Sequence, residues 1–273
     1  MPTDNVLKLY SKTIQSSFLH YGFWDDPEKV DLGSLTLNDI KKAQLRYIDH
    51  LSSFIPKDTR MILDVGCGIG GNTEFLLKKG YFIEALSPDN YQKSVIIKKF
   101  KNEVVFHHCK FEDFRPTTYF DLILESESAC YIDINKGFRK AREVLKDDGY
   151  LLVSDYFVFY RDDSKNLHLK SSHDLSKYLK SAEKNGFDLI KEYDQTDNTM
   201  LTLDYANYLI ERFLNPAIDY GVYSFKKNYP KISRLTGYLT KKTWYEKKNQ
   251  LDLIDSNLFR KYRKYMIYLF KKK

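Results

Sequence analysis

Four glycines crowd the stretch Gly66-Cys67-Gly68-Ile69-Gly70-Gly71. They follow an apolar run, Met61-Ile62-Leu63, that reads as a short buried strand ending at Asp64-Val65. Asn72-Thr73-Glu74 then supplies helix-start chemistry, Phe75, Leu76 and Leu77 give the helix an apolar face, and Gly80 fits its C-terminal cap. A strand–turn–helix unit of this kind lets a ligand come close to the backbone, because glycine has no side chain in the way. It also aims unpaired helix N–H groups at that ligand. Two further stretches carry reactive groups. Glu125 and Glu127, in a partly buried cleft, could steady a cation or take a proton; either could equally satisfy N–H groups at a helix start. Lys110-Phe111-Glu112-Asp113-Phe114 sets an aromatic face beside a carboxylate.

The elements that must position these groups can be followed along the chain. Apolar residues at Leu37, Ile40, Leu45, Ile48, Leu51 and Phe54 have helical spacing, Thr36 with Asp39 forms a capping-box pattern, and Pro56 stops the helix. Strands are predicted at 61–65, 81–86, 104–109, 120–124 and 150–157, with helices between them. A helix over 172–185 and strands at 187–193 and 265–270 follow. Alternation of this sort predicts an α/β fold: a doubly wound, mostly parallel seven-stranded sheet, Rossmann-like, with ligands bound outside the carboxyl ends of its strands. The chain divides into an N-terminal helical and aromatic lid segment (1–58), a ligand-binding α/β core (59–196), a helical lid inserted before the last strand (197–258), and the strand that completes the core (259–273). The insert is too long for a bare loop; Leu203 to Leu214 and Tyr238 to Leu251 would supply its helices.

Composition narrows the function classes. The 273 residues are 42% hydrophobic and 30% charged, which suits one large globular domain or a domain with a cap. No apolar run is long enough for a membrane span, and the first residues lack a signal-peptide core. Cys67, Cys109 and Cys130 form no C-x-x-C pair, which argues against a disulfide scaffold or a metal site and fits a cytoplasmic protein. The net charge of +7 leaves nucleic acid open as a partner, but lysines are mixed with acids through most of the chain.

Asp64-Val65-Gly66-Cys67-Gly68-Ile69-Gly70 resembles the first motif of the class I S-adenosylmethionine-dependent methyltransferases, where G-x-G-x-G replaces the dinucleotide G-x-G-x-x-G. The resemblance covers about residues 10–196 and is similar to the branch that holds tocopherol-type methyltransferases and cyclopropane-fatty-acid synthases. It implies S-adenosylmethionine as cofactor, with Asp64, Gly66, Cys67, Gly68 and Gly70 around its methionine end. Leu86-Ser87-Pro88-Asp89-Asn90 is similar to the branch's Leu-Ser-x-x-Gln, so Leu86 would line the ribose and Asn90 would contact it. Phe111 would flank adenine and Glu112 would accept its amino group. His20-Tyr21-Gly22-Phe23-Trp24 resembles a segment that folds over the cofactor, with Tyr21 reaching the methionine carboxylate.

In the loop after the fourth strand, Glu127 and Ser128 match the tocopherol branch, while Cys130 stands where cyclopropane synthases carry a bicarbonate-binding glutamate. That departure argues against cyclopropanation. Glu127 and Tyr131 become the candidate catalytic residues, for methyl transfer to a small-molecule or lipid-like acceptor. Two alternatives stand beside this reading: an RNA or DNA methyltransferase, suggested by the basic tail Lys261 to Lys273, and a non-catalytic S-adenosylmethionine-binding protein. Neither an Asn-Pro-Pro-Tyr type tetrad nor a Pro-Cys nucleophile pair is present, so nucleic acid is not the expected substrate.

Overall fold

The computed structural model describes residues 13–160, 173–230, 232 and 255–273. The predicted second half of the insert, Tyr238 to Leu251, lies outside them. The helix predicted from Leu37 is α1 (Leu37–Ser52). Its capping box is formed: Thr36 Oγ1 accepts the Asp39 N–H, and Asp39 Oδ2 accepts the Thr36 N–H at 3.1 Å. Two orphan donors of the first turn are thereby satisfied. Ile40, Tyr47, Ile48 and Leu51 form its buried face.

The sheet is built from β1 (Met61–Val65), β2 (Phe82–Leu86), β3 (Val105–His107), β4 (Phe120–Ser126), β5 (Leu145–Val158), β6 (His173–Asp174), β7 (Phe187–Asp194) and β8 (Arg263–Lys272). Its order is β3-β2-β1-β4-β5-β8-β7, with the two-residue β6 paired to β5 off this path. The first five strands run parallel, and β8 is antiparallel to both β5 and β7. The seven predicted strands are all present, and β6 is an addition. The fifth strand, predicted from 150, begins at Leu145 with an irregularity over 146–149: Leu145 pairs with Phe120 and pairing resumes only at Tyr150 with Leu122.

Chain order reverses between β1 and β4. The crevice of such a sheet lies there, at the carboxyl ends of the strands. Helices α2 (Gly71–Lys78) and α3 (Asn90–Phe100) follow β1 and β2, while α4 (Ile134–Val144) and α5 (Leu175–Lys184) precede β5 and β7. One sheet face packs Phe138, Ala141, Tyr178, Phe157 and Phe270 together; the other packs Tyr47, Ile48, Leu51, Ile62, Leu122 and Ile267.

Between β7 and β8 come α6 (Thr196–Leu209), a π-turn, α7 (Asn215–Asn228) and α8 (Ser256–Tyr262). The insert was expected to act as a lid from its start. Its first helix instead packs into the core, with Met200 and Leu203 buried against the second face. Only α7 buries nothing among the described residues. No described helix is long and apolar enough to cross a membrane.

Candidate active site

A cavity of about 390 Å³ opens at the carboxyl ends of β1 and β4. Small-molecule sites commonly span ~300–1,000 Å³. The glycine turn forms its floor. Gly66 and Cys67 send their N–H groups to the Leu86 carbonyl at 2.8 and 3.3 Å, which ties the turn to the end of β2. Gly66 has φ +73°, and a Cβ there would lie 2.4 Å from Ser128 Cβ. Only glycine lets the β1 turn and the β4 turn meet so closely. Ser128 Oγ completes that junction by donating to the Val65 carbonyl at 2.6 Å.

Of the residues singled out in the sequence, Gly66, Cys67, Gly68, Leu86, Phe111, Glu112, Glu127 and Tyr131 line the cavity. Leu86 and Phe111 are buried and form apolar walls. Glu112 turns Oε1 to the Asp133 N–H at 3.1 Å. Tyr131 is 70% exposed, at the rim rather than the depth of the site.

Four predicted residues do not line it. Asn90 begins α3 and is exposed, because Asp89 caps that helix by accepting the Gln92 N–H. The amide at the cavity wall belongs to Gln92, held by the Ser87 hydroxyl at 2.6 Å. Gly70 caps α2 with its Cα side against Ile96 and Phe100 rather than the cavity. Asp64 is buried behind the turn and accepts the Thr73 hydroxyl at 2.7 Å. Tyr21 meets the site through its backbone: its N–H donates to Glu127 Oε1 at 2.8 Å while its ring packs near Tyr265.

The segment before Tyr21 closes one side of the cavity through Ser17, Phe18, Leu19 and His20. It is tied down from both flanks. Gln44 of α1 donates to the His20 carbonyl at 2.8 Å, and Gly22 N–H donates to Thr202 of α6 at 2.9 Å. The His20 ring stacks on Tyr47 and meets the Tyr21 carbonyl and the Asn72 amide. Burial holds His20 down to about 4, so it is neutral near pH 7. A carbonyl can only accept, so Nδ1 carries the proton and Asn72 must present its NH₂ to Nε2.

Sequence reasoning missed the support of Glu127. Its backbone is left-handed, φ +52°, unusual for a residue with a side chain. Its N–H donates to the Ser154 carbonyl at 2.8 Å. Oε1 takes two donors, the Tyr21 N–H and the Tyr265 hydroxyl at 2.6 Å. Among the described residues nothing donates to Oε2, on a residue that lines the cavity. Behind Tyr265, the Tyr47 hydroxyl meets Tyr265 at 3.0 Å and Ser154 at 2.7 Å, and Gln195 donates to Ser154 at 2.8 Å. No local pattern could reveal this chain, since α1, β5, β8 and the turns after β4 and β7 each give one member.

Burial pushes several acids upward. Glu127 rises to about 7, the Tyr265 hydroxyl and Tyr21 amide opposing the shift. Asp155 also rises to about 7, opposed by the Cys130 and Tyr156 N–H groups. Glu125 rises to about 8, from burial and then the charges of Asp155 and Glu112. Asp64 rises to about 6. Glu125 does not line the main cavity; it borders a small separate one beside Tyr178. A cavity flanked by such groups favours a cation, and suits a proton acceptor near neutral pH. Among the described residues no His, Cys, Asp and Glu cluster could hold a metal.

Comparison with known proteins gives the cavity a context. A methyltransferase domain family model matches residues 63–153, from β1 into β5. Methyltransferase GfsG of Streptomyces halstedii is 25% identical over 203 residues, 67% of this chain and 70% of that protein. A probable chloroplastic tocopherol O-methyltransferase of Oryza sativa subsp. japonica is 32% identical over 74 residues, 25% of this chain and 19% of that protein. The crystal structure of a putative sarcosine dimethylglycine methyltransferase from Galdieria sulphuraria shares the fold, with a TM-score of 0.74 at 16% identity over 99% of each chain.

Proposed function

We propose a small-molecule acceptor for this chain, which is a class I S-adenosylmethionine-dependent methyltransferase, and a proton-accepting role for Glu127 beside that acceptor. The residues present fit the cofactor. The cavity has the volume of a small-molecule site, Leu86 and Phe111 offer apolar walls for a nucleoside, and Glu112 and Gln92 offer polar groups to it. Gly66, Cys67 and Gly68 would hold the amino-acid end, with Asp64 behind them supplying negative charge. When bound, S-adenosylmethionine supplies an electrophilic methyl group on a sulfonium centre.

The protein's own contribution is alignment and proton management. The segment Ser17 to His20 closes one side of the cavity and narrows the access of water, which favours an in-line displacement between aligned partners. Glu127 Oε2 would accept the proton of an acceptor hydroxyl, amine or carbon acid. Oε1 stays fixed by its two donors, so the carboxylate needs little reorganisation. Tyr131 at the rim would contact the acceptor as it enters.

The observation that carries this reading is the one-sided hydrogen bonding of Glu127, a residue of the cavity lining whose two donors both go to Oε1, with none to Oε2 among the described residues. The basic tail supports a small acceptor over nucleic acid. Lys271, Lys272 and Lys273 pair with Asp148, Asp147 and Asp188 at the far end of β5 and β7, away from the cavity. The test is Glu127→Gln in a methyl-transfer screen with labelled cofactor over small acids, alcohols, amines and RNA. The account expects transfer to a small molecule, loss of turnover in the variant, and unchanged affinity for S-adenosylhomocysteine. Transfer to RNA alone, or full turnover in the variant, would overturn it.

A further inference from the structure

Arg263 is the first residue of β8. It is 9% exposed. Its guanidinium lies over two rings, 5.6 Å from the centre of Tyr156 and 5.8 Å from that of Phe259. Among the described residues no hydrogen bond and no ion pair holds it, whereas Lys264, Lys271 and Lys272 of β8, and Lys273 after it, each reach an aspartate. Tyr156, Tyr21 and Cys130 are the titratable groups near enough to act on its charge. Burial pushes Cys130 and Tyr156 upward, so both are neutral at physiological pH. Aromatic faces recover part of the hydration a buried cation loses, but they leave its N–H fork unmet. A buried charge is ordinarily paired.

The position of this charge matters more than its burial. Arg263 and Tyr265 are two apart on β8, so they share one sheet face with Cβ atoms about 7 Å apart. Tyr265 pairs in register with Tyr156, and Arg263 with Val158. Tyr156 lines the main cavity, and Tyr265 holds Glu127. Tyr156 therefore lies between Tyr265, which holds Glu127, and the Arg263 guanidinium, which sits behind the Tyr156 ring rather than on the cavity's own lining. Tyr21 stands close by, giving its backbone N–H to Glu127 while its ring lies 5.6 Å from that of Tyr265.

We infer that Arg263, beside Tyr156 and Tyr21, is the docking site for a carboxylate of the methyl acceptor. This rests on the proposed role of the cavity and names the acceptor's class: a small acid whose nucleophilic O–H, N–H or C–H lies a few bonds from its carboxylate. The planar guanidinium offers two parallel N–H groups, which match the two oxygens of a carboxylate. One cation matches one negative charge. Glu127 takes the acceptor's proton at one end, while Arg263 fixes its other end, so the nucleophile is aimed at the cofactor side of Tyr156.

The test is read on Arg263 itself, so it does not depend on knowing the acceptor. The Nε–H resonance of Arg263 is assigned in nitrogen-labelled protein by its absence in Arg263→Gln. Sodium formate, formamide and inorganic phosphate are then titrated at constant ionic strength, with and without S-adenosylhomocysteine. The inference expects a saturable shift with formate, none with formamide, and a linear or weaker response with phosphate. A linear drift with formate, equal shifts with formamide, or saturation by phosphate alone would overturn it. Calorimetry with S-adenosylhomocysteine runs in parallel on wild type and Arg263→Gln. If the nucleoside fails to bind either protein, the cofactor reading falls, whereas the formate response decides the carboxylate site alone. A folded Arg263→Gln variant that binds the nucleoside normally and transfers methyl to acids as well as wild type would also overturn it.

Discussion

The Tyr265 hydroxyl donates to Glu127 Oε1 at 2.6 Å, across 138 residues of sequence. The bond crosses from β8 to the loop after β4, and it makes the last strand part of the active site. It also favours the ionised carboxylate, against the burial that favours the protonated one. Removing the donor must therefore raise the Glu127 pKa further above about 7. For Tyr265→Phe we expect the acidic limb of the rate profile of methyl transfer to move to higher pH, with S-adenosylhomocysteine affinity unchanged. The Tyr47 hydroxyl also loses a partner, at a cost of about 1 kcal/mol in stability. A pH profile of kcat/KM with a melting curve checks both.

Stability should fall as pH rises through the neutral range. Glu125 has its pKa raised from 4.5 to about 8, with burial the largest cause. Between those values the folded protein holds more protons at this site than the unfolded chain, so rising pH favours unfolding. The stabilisation is complete below the unfolded value and lost by the time pH passes the folded one. At about 1.4 kcal/mol per pKa unit, Glu125 alone contributes on the order of a few kcal/mol. The variant Glu125→Gln, neutral at every pH, should be more stable than wild type at pH 8.5 and little different at pH 4. Urea melts at the two pH values measure this.

The ribose side of the site separates two amides that sit close in sequence. Gln92 lines the cavity and bonds Ser87, whereas Asn90 starts the helix and faces outward. Losing a hydrogen bond of this kind costs about 1 kcal/mol, roughly fivefold in affinity. Gln92→Ala should weaken S-adenosylhomocysteine by that amount, and Asn90→Ala should not. Parallel titrations decide it.

The junction of the two turns should tolerate no side chain at Gly66. A Cβ would sit 2.4 Å from Ser128 Cβ, on a backbone at φ +73°. The left-handed conformation costs roughly 1–2 kcal/mol by itself, before the clash. Gly66→Ala should lower the melting temperature by several degrees and abolish nucleoside binding, because the β1 and β4 turns are pushed apart. Ser128→Gly in that background should recover part of both losses, since it removes the struck atom.

Much of this molecule could be read from its sequence, and the divide between read and unread is physical. The Thr36–Asp39 capping box, the glycine turn and the seven strands are encoded within a few residues of one another, so local pattern finds them. Phe111, Glu112 and Glu127 followed because short turns after parallel strands must surround the same crevice. Asn90 was misjudged because Asp89 decides where the helix starts, and a shift of half a turn brings Gln92 round instead. Gly70 was drawn into the site by its neighbours, although its missing side chain makes room for Phe100. Tyr47, Tyr265 and Arg263 were invisible because the register of an antiparallel strand at the chain's end decides what they face. The core role of α6 was hidden for the same reason: Met200 and Leu203 find their partners across the sheet.

The central claim is that the cavity over the glycine turn binds the S-adenosyl nucleoside between Phe111, Glu112 and Gln92. Isothermal titration of S-adenosylhomocysteine into the purified protein, alongside Glu112→Ala, tests it most directly. The account predicts a saturable heat at one site per chain in the wild type and markedly weaker binding in the variant. Absence of heat in the wild type, or equal affinity in the two proteins, would contradict it.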